Sequence, residues 1–216
     1  MEQEKKHPSV QAEIIEQTIV YDKWVTLIRV KIRALMRWNG SIGTPYQIER
    51  HIHHHGSGTC VLPIDPIRNR LLLVRQLRAP LIWAKDPNPY LVQPAAGLID
   101  EGETPQEAIL REGREELGYA LRKLLPLSPC YASPGFSTEM IYPYLAEYSG
   151  SDRVQSGGGI LAENEDIEVL EITTNALTEL FDNNEIRDAK LLILYLAALK
   201  FYPECFGQDY SEIKQM

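Results

Sequence analysis

Glu112, Glu115 and Glu116 are the residues of this 216-residue chain whose types and spacing best suit chemistry. Glu112 and Glu116 stand four apart, and Glu112 and Glu115 three apart, so a helix brings all three carboxylates to one face. Such a face is electrostatically poor. Like charges repel, and acids near a helix C-terminus oppose its dipole. Arg111 and Arg114 can compensate, and a bound divalent cation would do so more strongly. Oxygen ligands without cysteine or histidine favour Mg²⁺ or Mn²⁺. Taken alone, the same pattern also describes a solvated acidic helix face.

The segment ahead of these residues predicts the helix that carries them. Thr104-Pro105-Gln106-Glu107 is a capping box with proline at the first helical position. Gly118 closes the helix as a left-handed cap. Upstream, Thr26, Ile28, Val30 and Ile32 alternate with Arg29, Lys31 and Arg33, which predicts a strand with one solvated face. Cys60–Ile64 and Leu71–Arg75 are short apolar runs around a turn-rich hexapeptide, hence a hairpin. Strands are also expected over Met140–Tyr148 and Ile167–Ile172. A short helix near Asn175–Phe181 and a longer one from Asp188 to Tyr202 follow, the latter with Leu191, Leu194, Ala197 and Ala198 on one stripe. This order implies α/β layering. Residues 150–166 form a polar, Gly-rich loop long enough to be functional.

Composition narrows the function class. Thirty acidic and 22 basic residues leave a formal charge of −8, which argues against nucleic acid or an anionic membrane as partner. The strongly apolar run Leu191–Leu199 falls short of the roughly 20 residues a membrane span needs. The charged Met1–Pro8 segment does not read as a signal peptide. Cys60, Cys130 and Cys205 are odd in number and far apart, as expected of reduced thiols in a cytoplasmic protein.

Gly97, Glu103, Arg111, Glu112, Glu115, Glu116 and Gly118 together resemble the Nudix box, G-x5-E-x7-R-E-U-x-E-E-x-G-U with U a bulky apolar residue. Gly113 and Tyr119 occupy the two U positions; Gly113 is expected to leave a gap under the helix and to cost roughly 1 kcal/mol of helix propensity. The resemblance implies a Nudix fold, a mixed β-sheet sandwiched between α-helices, with an N-terminal antiparallel strand region. It implies metal-dependent cleavage of a diphosphate. Glu112 and Glu116 would be the main metal ligands, with Glu115 and the carbonyl of Ala96 assisting. Glu103 and Arg111 would pair, and Gly97 would allow a tight bend.

Similarity over roughly residues 45–200 points to the branch acting on ADP-ribose, GDP-mannose and other nucleotide sugars, with ADP-ribose placed first. Gln76-Leu77-Arg78 resembles a Q-x-R strand end whose arginine contacts substrate. Arg50 matches an arginine near the nucleobase. Ser133-Pro134-Gly135-Phe136-Ser137-Thr138-Glu139 resembles a pocket loop that contributes Glu139, with Phe136 in place of a usual glycine. Leu161–Ile167 resembles a mobile loop carrying a glutamate that serves as base or metal ligand. That residue aligns with Glu163, with Glu165 in reserve, and Gly157–Gly159 would let the loop close. Gln93 stands where the family often has glutamate, so contacts there become amide-type. A homodimer is implied, through N-terminal strands. The expected organisation is a disordered tail at 1–10, a dimerising strand region at 11–55, the hydrolase domain at 56–205 and a tail at 206–216. His51, His53 and His55 would share a strand face, as rim residues more than as a zinc site. A nucleotide-binding domain without catalysis is the rival class.

Overall fold

The computed structural model describes residues 12–38, 41–160 and 165–207. The chain forms two units, one of residues up to Gly56 with Tyr131–Glu139, the other of Ser57–Cys130 with Met140 onward. No helix among the described residues is long and apolar enough to cross a membrane. The expected tail at 1–10 lies outside the described residues.

In the first unit β1 (Ala12–Asp22), β2 (Thr26–Trp38) and β3 (Ser41–His54) form an antiparallel sheet in that order. The alternation on β2 is realised as isoleucine rows. Ile14, Ile32 and Ile48 pair across the three strands, as do Ile19, Ile28 and Ile52. Such directly opposed β-branched side chains are a main source of sheet stability. Basic residues of β2 meet acids of β1, with Lys31–Glu16 at 2.6 Å and Arg33–Glu13 at 2.9 Å. Every residue of β1 is exposed.

The second unit holds β4 (Gly58–Asp65), β5 (Arg70–Leu77), α1 (Ala79–Trp83), β6 (Tyr90–Gln93), β7 (Ala95–Leu98), α2 (Pro105–Glu112), β8 (Arg122–Pro126), β10 (Met140–Glu147), β11 (Ile167–Thr173), α3 (Thr174–Asp182) and α4 (Ala189–Phe201), while the two-residue β9 (Cys130–Tyr131) falls where the chain passes from this unit to the other. The sheet runs β11-β5-β4-β10-β8. β4 and β10 are parallel, and β5 with β11 and β8 with β10 are antiparallel. The predicted β4–β5 hairpin forms, but only Ile64–Leu71 and Asp65–Arg70 pair directly. Beyond them the strands splay. β7 pairs with β4 and β6 with β5, which seats Gln93 and Ala96 inside the opening.

Apolar residues of the central strands divide between two faces. Cys60, Leu62, Ile64, Leu71 and Leu73 pack with Leu177, Leu191, Leu194 and Tyr195 of α3 and α4. Val61, Leu72 and Val74 pack with Ala95, Ile109, Leu117 and Tyr148 on the α2 side. Continuous apolar runs in β4 and β5 reflect this burial on both faces, and the mixed sheet between helices is the expected Nudix fold. Phe206, placed by sequence in a C-terminal tail, is buried against the α4 side, whereas residues 208–216 lie outside the described set.

The gap expected under Gly113 is absent. A Cβ built on Gly113 would lie 2.7 Å from Cδ1 of Leu121, so leucine fills the space that a bulky box residue would take. Restoring that residue with Gly113→Leu should therefore destabilise the fold by about 1–3 kcal/mol, the usual cost of overpacking. Adding Leu121→Ala should recover most of the loss. Urea unfolding of the single and double variants measures both effects, and a stabilised single variant would refute the account.

Candidate active site

The helix that carries the glutamates begins as predicted. Thr104 Oγ1 accepts from the Glu107 backbone N–H at 3.2 Å, and Glu107 Oε2 accepts from the Thr104 N–H at 2.9 Å. Its end differs from the regular helix expected. After Glu112 the chain widens into a π turn, Gly113–Leu117, closed by Gly118 at φ +83°. Such turns recur at functional sites because they re-aim side chains. Here the Glu112 and Glu116 carboxylates take different partners.

Arg111 is the hub. Nε and Nη2 donate to the Glu103 carboxylate, each at 3.1 Å. Nη1 donates to Glu112 Oε1 at 2.7 Å and Glu115 Oε2 at 2.9 Å, and Nη2 also donates to the Leu98 carbonyl at 3.1 Å. The expected Glu103–Arg111 pair is thus present. The hydrogen bonds from Arg111 hold the Glu103 carboxyl below the usual range, and Arg111 also supplies the compensating charge. Arg114 stays exposed.

Glu116 is buried to 4% exposure, and its Oε2 accepts from the Ala96 N–H at 2.9 Å. Gly97 leaves room for the neighbouring carboxylate as it stands, since a Cβ there would fall 1.8 Å from Glu112 Oε1. Burial pushes the Glu112 carboxyl up to about 7, with Glu115 and Glu165 adding to the rise and Arg111 opposing it. Burial likewise pushes Glu116 up to about 8; Glu112 and Glu165 add, while the Ala96 N–H and the Arg78 charge oppose.

Two buried, mutually repelling carboxylates beside a glycine-made space are an oxygen donor set that fits a hard divalent cation. Among the described residues no three His, Cys, Asp or Glu side chains converge as ligands. Glu112 is turned to Arg111 and Glu116 to the Ala96 N–H.

Glu163 lies outside the described residues. Ile160 and Glu165, the described residues on either side, are joined: Glu165 Oε2 accepts from the Ile160 N–H at 3.0 Å, and the Glu165 charge is felt at both Glu112 and Glu116. The N–H groups of Gly158 and Gly159 bond the carbonyls of Glu116 and Glu115, at 2.8 and 3.1 Å. A Cβ on Gly157 would lie 2.6 Å from the Leu117 carbonyl carbon. These glycines pin the start of the loop to the end of the π turn.

Arg78 caps the start of α1, and its Nε donates to Gln93 Oε1. Gln93 Nε2 in turn donates to Asp188 Oδ2 at 2.6 Å. Asp188 was legible only as a helix start. It lies far from Gln93 in sequence, so no local pattern joins them.

Arg50 and Glu139 belong to the N-terminal unit. Arg50 is exposed on β3 and its Nη1 donates to the Glu49 carbonyl at 2.8 Å. The Glu139 N–H donates to Ser137 Oγ at 3.1 Å. Phe136 stacks on His53 with ring centroids 5.3 Å apart. The His53 and His55 rings lie with centroids 4.7 Å apart, but β3 ends at His54, so His55 falls just past the strand on which it was expected, and His51 is exposed.

A NUDIX domain matches residues 54–195. The GDP-mannose pyrophosphatase of Enterobacter sp. (strain 638) is 34% identical over 186 residues, covering 86% of this chain and 94% of that protein. The protein of that name from Escherichia coli (strain SMS-3-5 / SECEC) is 34% identical, covering 85% and 93%. That from Salmonella arizonae is 34% identical, covering 84% and 91%. A chain matched over that span, and similar along most of its length to enzymes that split a diphosphate, belongs to the Nudix family and is a Nudix hydrolase.

Proposed function

We propose that this hydrolase cleaves the diphosphate of a nucleoside diphosphate sugar, with GDP-mannose giving GMP and mannose 1-phosphate as the first substrate to consider. The observation that carries the reading is the buried Glu112–Glu116 pair beside Gly97, each carboxyl raised in pKa chiefly by burial. The names of the relatives favour GDP-mannose. The Q-x-R strand end and the Ser133–Glu139 loop keep ADP-ribose, which would give AMP and ribose 5-phosphate, as second.

Nudix hydrolases generally use divalent metals, and Mg²⁺ is the cation proposed here, with Mn²⁺ as substitute. Glu112 and Glu116 would hold it, with Glu115 and the Ala96 carbonyl in reach of the same role. When bound, the cation neutralises the diphosphate and polarises the attacked phosphorus. Arg78 holds the substrate's anion, and Arg50 and Glu139 serve the nucleoside. Glu163 orients or deprotonates the attacking water. Glu165 adds negative charge to the cation's surroundings and braces the loop through Ile160.

We assign the β1–β3 sheet to a homodimer contact, supported by Ile14, Ile19, Val20 and Tyr21, which are large, apolar and exposed on β1. Among the described residues no disulfide joins Cys60, Cys130 and Cys205, which suits a cytoplasmic enzyme. A panel of nucleotide sugars incubated with Mg²⁺, its products resolved by chromatography, tests the activity. Hydrolysis of GDP-mannose or ADP-ribose between the two phosphorus atoms is expected, and inertness toward the whole panel would overturn the reading.

A further inference from the structure

We propose that Gln93 and Asp188 form a positioning chain that aims the Arg78 guanidinium at the substrate's diphosphate, and that the neutral amide of Gln93 keeps that arginine's charge available to the anion. The inference rests on the reading of Arg78 as an anion-binding residue.

Gln93 is buried to 3% exposure and Asp188 to 7%. Arg78 Nε donates to Gln93 Oε1 at 2.5 Å, and Gln93 Nε2 donates to Asp188 Oδ2 at 2.6 Å. Asp188 is itself fixed. Its Oδ1 accepts from the Leu191 N–H at 2.8 Å as the cap of α4, and its Oδ2 also accepts from Lys190 Nζ at 3.0 Å. A side-chain amide is the group that suits the middle position, because it accepts from a cation on one side and donates to an anion on the other. Its flip is excluded, since that would set NH₂ against guanidinium and carbonyl against carboxylate.

The consequence falls on Arg78. Only its inner nitrogen is used, and among the described residues Nη1 and Nη2 have no hydrogen-bond partner. The two terminal groups form the fork that matches a phosphate. The Arg78 charge also acts on Glu116. A glutamate at position 93 would neutralise the arginine and face Asp188 at hydrogen-bond distance as a second carboxylate. Glutamine holds the arginine without neutralising it. The splay of β4 from β5 makes this possible, since β6 carries Gln93 in the opening.

Steady-state kinetics of the full chain with GDP-mannose and with ADP-ribose test the chain, with thermal unfolding as the folding check. Arg78→Ala should raise KM. Gln93→Leu, which loses both hydrogen bonds, should raise KM about tenfold and leave kcat within about threefold, the pattern of lost binding. The double variant should have the KM of Arg78→Ala alone. Gln93→Glu should give a KM that exceeds wild type more at pH 8 than at pH 6, because protonation of the new acid restores a donor to Asp188 and frees Arg78. Asp188→Asn keeps an oxygen for the α4 cap and should raise KM about threefold, which guards against misfolding of the leucine variant. If Arg78→Ala leaves KM unchanged, the reading of Arg78 itself falls. If Arg78→Ala raises KM but Gln93→Leu and Asp188→Asn do not, or if the double variant multiplies the two effects, the positioning chain alone is overturned.

Discussion

Glu112→Gln and Glu116→Gln are each expected to lower kcat by about 10²-fold or more, the scale of losing electrostatic or metal assistance. Both variants should fold, since each removes an acid that the interior resists. A second signature separates this role from a purely structural one. Both carboxyls lie above the ordinary value of 4.5, at about 7 and about 8. Without metal, the folded protein therefore keeps protons that the unfolded chain has already released. The stability this contributes is fully present below about pH 4.5 and is lost as pH rises through 7 and 8. The melting temperature of metal-free protein should fall over that window, and each glutamine variant should flatten the fall. Mg²⁺ should raise the melting temperature most at pH 8 and above, where it meets two ionised carboxylates. Near-normal turnover by both variants at saturating Mg²⁺, or a wild-type melting temperature indifferent to Mg²⁺ at pH 8, would sink the assignment.

Local signals were legible. The Thr104–Glu107 box, the Gly118 cap, the β-branched alternation of β2 and the doubly buried runs of β4 and β5 each depend on neighbours a few residues away. The seven box positions were legible for the same reason, because Glu103 and Arg111 meet across about two turns of one helix. Three features were not. The π turn at Gly113–Leu117 depends on Leu121 filling the space at Gly113 and on the carbonyls of Glu115 and Glu116 being taken by Gly159 and Gly158. Those partners come from another loop. The glycines there looked like a source of motion, because sequence shows their freedom but not the backbone they press against. The Arg78–Gln93–Asp188 chain joins three separate elements, and its only trace in sequence was glutamine at a position often held by glutamate.

Glu163→Gln is expected to lower kcat by roughly 10²- to 10⁴-fold, the contribution of a positioned base, with substrate Kd within a few-fold because the amide keeps the shape. Glu165→Gln should act differently. Its Oε2 accepts from the Ile160 N–H and its charge bears on Glu112 and Glu116. An amide can still accept that hydrogen bond, so the loop's base is retained while one negative charge is lost near the cation. The expected result is weaker Mg²⁺ binding, with turnover recovering as the metal is raised, whereas the Glu163 variant should not recover. Without metal, removing the Glu165 charge should also bring the Glu112 and Glu116 carboxyls back toward the ordinary range, so the pH window of the melting curve moves down. Titrating Mg²⁺ against turnover for both variants, beside a melting series from pH 5 to 9, reads the two roles independently. If Glu165→Gln abolishes turnover at every Mg²⁺ concentration while Glu163→Gln leaves it intact, the water is served by Glu165. If neither change matters, the carboxylate that serves it lies outside this loop.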